Sequence, residues 1–155
     1  MITKETSLEI MRAQGKADSL NLRERAPSMT GTELIAEEHK IPDFDPTKDY
    51  TSWKPGSPVA DEGQVWLLLI PHNAAHYTGR PMDLRSMWGL AHTKDHLKAK
   101  PWVASYGVSG LYMIDECCTY PVDGVNHVFR NKHDNNEYPP MTLNVEVRWE
   151  DLGEV

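Results

Sequence analysis

Asp61-Glu62-Gly63-Gln64-Val65-Trp66-Leu67-Leu68-Leu69-Ile70 joins a tight-turn signal to a run rich in Val, Leu and Trp, which reads as the turn and second arm of a β-hairpin. The same order returns downstream. Cys117 to Tyr120 is followed by the turn Val122-Asp123-Gly124 and by a strand signal from Asn126 to Lys132. Working outward, Phe44, Tyr50, Gly56, Val59, Gly63, Trp66 and Trp88 are matched in order by Trp102, Tyr112, Asp115, Cys118, Gly124, Phe129 and Trp149. Each copy therefore reads as a short hairpin plus a third extended segment with a Trp near its end. A unit of about 50 residues is marginal alone, so the two copies are expected to lean on each other or on other subunits. Catalysis needs one convergent set of groups, whereas a doubled unit suits binding or docking.

The expected fold is mainly β with a helical N-terminal region. The division is a helical anchor or oligomerisation region over 1–43, a first β module over 44–90, a linker over 91–101 and a second module over 102–155. The composition shift is abrupt: all five Trp, six Tyr and two Phe lie from Phe44 onward. Before it, Ile10, Ala13, Ala17 and Leu20 form an amphipathic stripe, with Thr6 or Ser7 as the expected N-cap. Such a helix is marginal in isolation, and Gly15 weakens it by about 1 kcal/mol relative to Ala, so it should pack on the modules or on copies of itself. Thr30 and Glu33 form a capping box for a second short helix that ends before Pro42, with Leu34 and Ile35 as its few apolar members.

The chain has 155 residues and a net charge of -7. That charge is uneven: residues 102–155 hold 3 basic and 9 acidic side chains, while the connector 91–101 holds 3 basic and 1 acidic. Such acidity repels phosphate backbones, and no Lys/Arg stripe interleaved with aromatics is seen along the chain, which argues against a nucleic-acid partner. The longest apolar run, Val65 to Pro71, is too short to span a membrane, and Met1 to Ile10 lacks the apolar core of a signal peptide. Manufacture in the cytoplasm, without a membrane partner, is the expectation. Two adjacent cysteines form no disulfide framework. Cys118 falls on an apolar repeat position, and its neighbour Cys117 should face outward.

These residues resemble the small chitin-binding-type carbohydrate-binding modules of families five and twelve, found on bacterial chitinases and in phage virion proteins. The first copy carries the likeness at Phe44-Asp45-Pro46-Thr47-Lys48-Asp49-Tyr50, Gly56-Ser57-Pro58-Val59, Gly63-Gln64-Val65-Trp66, Pro81 and Trp88-Gly89-Leu90. The second carries it at Trp102, Tyr112 to Tyr120, Gly124, Phe129-Arg130, Pro139-Pro140 and Trp149 to Leu152. The likeness spans about two thirds of the chain. It implies two small three-stranded carbohydrate-binding-module-like units. Where chitin-binding members carry exposed aromatics, this chain has Ile70-Pro71 and His133-Asp134, so the usual stacking platform is missing. The layout, a helical N-terminus before two such units, is similar to accessory virion proteins on phage head fibres or tail tips.

Sugar recognition lays apolar CH faces on aromatic rings and fixes hydroxyls with polar groups. Trp53, Tyr77 and Tyr138 are the rings expected in loops. His72, Asn73, His76 and Arg80 are the polar candidates of the first module, and Asp134, Asn135 and Asn136 those of the second. Trp66, Trp88, Phe129 and Trp149 are expected core. His72 and His76 are four apart, but Asn73 stands where the zincin motif needs Glu, so neither a metal nor another cofactor is expected. The reading is a non-enzymatic virion accessory protein, with weak multivalent binding of a cell-surface polysaccharide, contacts to other virion proteins, and a homo-oligomer, for which a trimer suits a fibre. The alternatives are a structural virion protein whose modules dock on neighbouring subunits without binding sugar, and a small hydrolase using His72 or His76.

Overall fold

The computed structural model describes residues 3–141 and 145–155. It is a mixed helix and sheet protein, mostly β, with a long N-terminal helix and two sheets of three and four strands. Helix α1 runs Lys4–Arg25 and α2 runs Gly31–Ala36. The first sheet holds β1 (Pro58–Asp61), β2 (Gln64–Leu68) and β3 (Trp88–Leu90), in that order and antiparallel. The second holds β4 (Lys100–Pro101), β5 (Cys117–Val122), β6 (Val125–Asn131) and β7 (Trp149–Glu154), with the four-residue α3, Val145–Arg148, entering β7.

The two hairpins are the same object twice. Glu62-Gly63 has φ of 50° and 75°, and Asp123-Gly124 has 49° and 81°. Two consecutive left-handed residues match the right-handed twist of the flanking strands, hence the acidic residue followed by Gly. Val59 pairs with Trp66, as Cys118 pairs with Phe129. Two residues after each of those aromatics the closing Trp docks: Leu68 opposes Trp88, and Asn131 opposes Trp149. The second sheet departs from a three-stranded unit, because Lys100–Pro101 adds a short parallel strand beside β5.

The apolar run in β2 is continuous because both of its faces are covered. Trp66 and Leu68 join Phe44, Tyr50, Val59 and Trp88 in the first core. Val65 and Leu67 point the other way, into Leu22, Ala26, Leu34, Ile35, Ile41 and Ala91. The helical region thus packs on the back of the first sheet, and Leu34 and Ile35 are its buried plug, not members of an exposed connector. A smaller core of Tyr112, Cys118, Phe129 and Trp149 serves the second sheet. The four repeat aromatics expected inside, Trp66, Trp88, Phe129 and Trp149, are all buried.

Helix α1 corrects the sequence reading in two respects. Its cap is Thr3, whose hydroxyl accepts from the Thr6 amide at 3.1 Å, so the helix starts before Thr6 and Ser7. Of the stripe, Ile10, Ala13 and Ala17 are exposed away from the modules, and Leu20, still 46% exposed, borders Trp53 of the first unit. Leu22 and Ala26 make the buried contact, and at 100° per residue they lie roughly opposite that stripe. Residues 3–17 are exposed throughout, with Ile10 at 55% and Met11 at 68%.

The connector is woven into both units. Thr93 bridges to Cys117, His92 donates to the Gly110 carbonyl at 2.8 Å, and Gln64 donates to the Pro101 carbonyl at 2.9 Å. A 3-10 turn at His96–Lys98 supplies its helical portion. Because the connector crosses its strand, Cys117 is buried beside Cys118, not outward-facing. Burial pushes both thiols above their ordinary pKa, which disfavours a reactive thiolate at either position.

Candidate functional site

Each unit is built round a buried Tyr set edge-on to its closing Trp. Tyr50 meets Trp88 at 5.3 Å and 90°, and Tyr112 meets Trp149 at 5.3 Å and 71°. Both tyrosine hydroxyls accept a backbone amide just after the first aromatic of the copy: Asp45 N–H at 2.9 Å and Val103 N–H at 3.4 Å. Each Tyr amide in turn donates to a long-loop carbonyl, that of His72 or of Asn136. The repeated residues are thus engaged with one another, which leaves the loops as the candidate surface.

In the first loop His72 is a core residue. Its Nδ1–H donates to the Ile70 carbonyl at 2.7 Å, and the ring is held edge-on by Tyr77 at 5.4 Å and Trp88 at 5.5 Å. Asn73 accepts from the Ala75 amide and starts the 3-10 turn Ala74–His76. His76 reaches back to the Asn73 amide at 3.5 Å from an exposed position, and Tyr77 keeps 44% of its surface exposed. Arg80 is committed to structure: its guanidinium grips the Asp61 carboxylate through Nε and Nη2, at 2.6–3.1 Å, beside Phe44.

In the second loop Asn136 is likewise buried, donating to Asn131 Oδ1 at 2.8 Å and accepting from the Tyr138 amide at 2.9 Å. Asp134 accepts from the Ile114 amide at 2.9 Å. Asn135 is exposed with φ of 56°. Tyr138 is 49% exposed, and one face carries the Arg148 guanidinium at 4.1 Å. Beside it Tyr120, Val122, Pro140, Met141 and Trp149 line an apolar groove of about 390 Å³ with Asp123, Glu146 and Asp151 among its acidic members.

Trp53 is the ring whose surroundings the sequence hid. It is half-buried, edge-on to Tyr50 at 4.7 Å, and the Arg23 guanidinium of α1 lies over it at 4.2 Å with the Lys48 ammonium at 5.4 Å. It sits in an open cleft of about 860 Å³ between α1 and the first unit, where Arg12, Lys16 and Arg23 face Lys48. Arg12 and Lys16 are four apart and Arg23 follows at seven, a helical spacing that a basic stripe would show; the opposite wall comes from a turn 25 residues beyond Arg23.

Among the described residues, no three His, Cys, Asp or Glu side chains gather to hold a metal ion, and no helix is long and apolar enough to cross a membrane. Comparison of the chain with family models, with curated proteins and with solved structures finds no match.

Proposed function

We propose that the chain is a non-enzymatic accessory protein of a phage particle, carried on a head fibre or at the tail, whose two carbohydrate-binding-module-like units hold host-surface glycan weakly and in many copies. The observation that carries this reading is the duplicated Tyr–Trp frame, with its matching turn, register and hydroxyl contact in both units. A frame whose repeated residues contact one another leaves single exposed rings in the loops, which suits low intrinsic affinity made effective by avidity. The exposed stripe on α1 supports an anchoring or self-associating role for the N-terminal helix.

A second reading has its own support. The apolar groove beside Tyr138 suits a neighbouring protein segment, and Trp53 and Tyr138 each carry an arginine on one face. The modules would then dock on other virion proteins without holding sugar.

The test is retention of the full chain, coupled at high density to beads, by host cell-wall polysaccharide. The glycan reading expects retention that drops when Trp53→Ala and Tyr77→Ala are combined. Equal retention of the double variant, or none by the parent chain, would leave the docking reading in its place.

A further inference from the structure

We infer that the Trp53 cleft binds an anionic polysaccharide, one carrying phosphodiester or carboxylate groups along its chain, with α1 and the first unit as its two walls. This rests on the glycan reading above and narrows its substrate class. Five cations line the cleft, and four of them, Arg12, Lys16, Arg23 and Lys48, are in no ion pair with a carboxylate among the described residues.

The carboxylates of the same cleft are partly occupied. Asp18 accepts from Gln14 Nε2 at 2.8 Å, and Asp45 accepts from the Thr47 amide and hydroxyl at 2.8 and 2.7 Å. Asp43 is the third. Lys40, the fifth cation, is tied to Glu37 at 3.0 Å. Those hydrogen bonds come from neutral donors and leave the carboxylates charged, so four unpaired cations stand against three carboxylates, a small positive excess on a molecule whose net charge is -7. Confined between two walls, that charge raises the local concentration of an anionic chain.

Trp53 supplies the sugar contact. Its ring is held edge-on by Tyr50 and carries the Arg23 guanidinium at 4.2 Å and the Lys48 ammonium at 5.4 Å, so the indole positions two of the cations, and a sugar CH face reaches it as Arg23 leaves the ring for an anionic substituent. Of the α1 stripe, Ile10, Ala13 and Ala17 lie outside the cleft lining and Leu20 borders it, so association through the first three leaves the cleft open.

The experiment is binding of the full chain, displayed on beads, to four probes: poly(glycerol phosphate), a polyuronate, a neutral chitin oligosaccharide and a single-stranded oligonucleotide. The inference expects one or both anionic polysaccharides to be held more tightly than the neutral sugar, and the two arms separate phosphate from carboxylate as the source. Affinity should fall at least about tenfold between about 50 and about 300 mM salt. Arg12→Glu with Lys48→Glu, both at exposed positions, should lose at least about tenfold, as should Trp53→Ala, while Lys98→Glu outside the cleft should match the parent.

Salt-independent binding of the neutral sugar at equal strength would overturn the anionic class and leave the glycan reading standing. No retention of any polymer would overturn both. An oligonucleotide held as tightly as the polysaccharides would make the cleft a general polyanion site. Salt-sensitive self-association without polymer, abolished by the double charge reversal, would assign it to the acidic unit of another copy. Either result overturns the inference.

Discussion

His92 lies face to face with Tyr112 at 3.7 Å, buried at the junction of the two units, with its Nε2–H donating to Gly110. Burial, aided by the Arg85 charge, lowers its pKa from 6.5 to about 4. A histidine that is neutral when folded and protonated when unfolded contributes stability that is present above pH 6.5 and lost as the pH falls toward 4. The expected loss is about 3 kcal/mol over that window. Denaturant titrations at pH 7, 5 and 4 check it: His92→Gln keeps a donor for Gly110, cannot titrate, and should lose this part of the slope. Equal slopes would remove the assignment. Glu37 acts at lower pH, since hydrogen bonds from Arg25 and Lys40 hold its carboxyl down to about 2. A second residue-scale expectation concerns Asn131, which donates to the Tyr112 and Met113 carbonyls and accepts from Asn136. Asn131→Leu takes the acceptor from the buried Asn136 amide and one of two donors from each carbonyl, which keep the Asn136 and Glu116 backbone amides, and should cost about 2–4 kcal/mol, read by the denaturation midpoint at constant slope. Neither residue stands out in the sequence. A polar side chain in a strand reads as solvent-facing, and the carbonyls that call for Asn131 come from residues 18 and 19 positions earlier.

At the scale of elements, two glycines in the helices should respond oppositely. Gly15 has nothing within 4 Å of a would-be Cβ, so Gly15→Ala should raise the helical signal of α1 by removing a propensity cost of about 1 kcal/mol. Gly31, at the start of α2, packs against the backbone of His92, and a Cβ there would strike the His92 carbonyl oxygen. Gly31→Ala should therefore cost more than about 2 kcal/mol despite its better helix propensity, since backbone must move. Far-ultraviolet circular dichroism and thermal melts of the pair separate the effects, and a common direction of change would contradict this packing. The local elements were the most legible part of the chain. The Thr30 box forms as spaced, with Thr30 Oγ1 and Glu33 Oε1 each accepting the other's amide at 3.1 Å. Both acidic-Gly turns form because the signal and its partners lie within a few residues. The buried face of α1 was not legible: small residues at helical spacing mark an apolar stripe, but only the position of β2 decides that Leu22 and Ala26 are covered instead.

Taken whole, the molecule has a compact part, in which the connector locks two β units together, and a helix whose first turns stand clear of it. Removing residues 1–17 should leave the melting of the remainder within about 1 kcal/mol of the parent, because those described side chains are exposed. If α1 mediates self-association, the same truncation should reduce the sedimentation coefficient of any oligomer to that of a monomer; an unchanged oligomer would free the helix of that role. Of the loop residues expected to bind, Asn73, His76, Tyr77, Asp134 and Asn135 remain toward solvent or at half-buried turns, while His72, Asn136 and Arg80 are spent on structure. The sequence by itself determined the doubled hairpin, its turns and its four aromatic core positions, since these depend on short apolar and aromatic runs either side of a turn and on backbone preferences of single residues. Only the tertiary structure decided that Ala91 to Thr93 at the start of the connector is buried, that the second sheet gains β4, and that Arg12, Lys16 and Arg23 meet Lys48 across Trp53. Each of those depends on contacts between residues far apart in the chain, and no local spacing encodes where a folded chain brings its distant parts together.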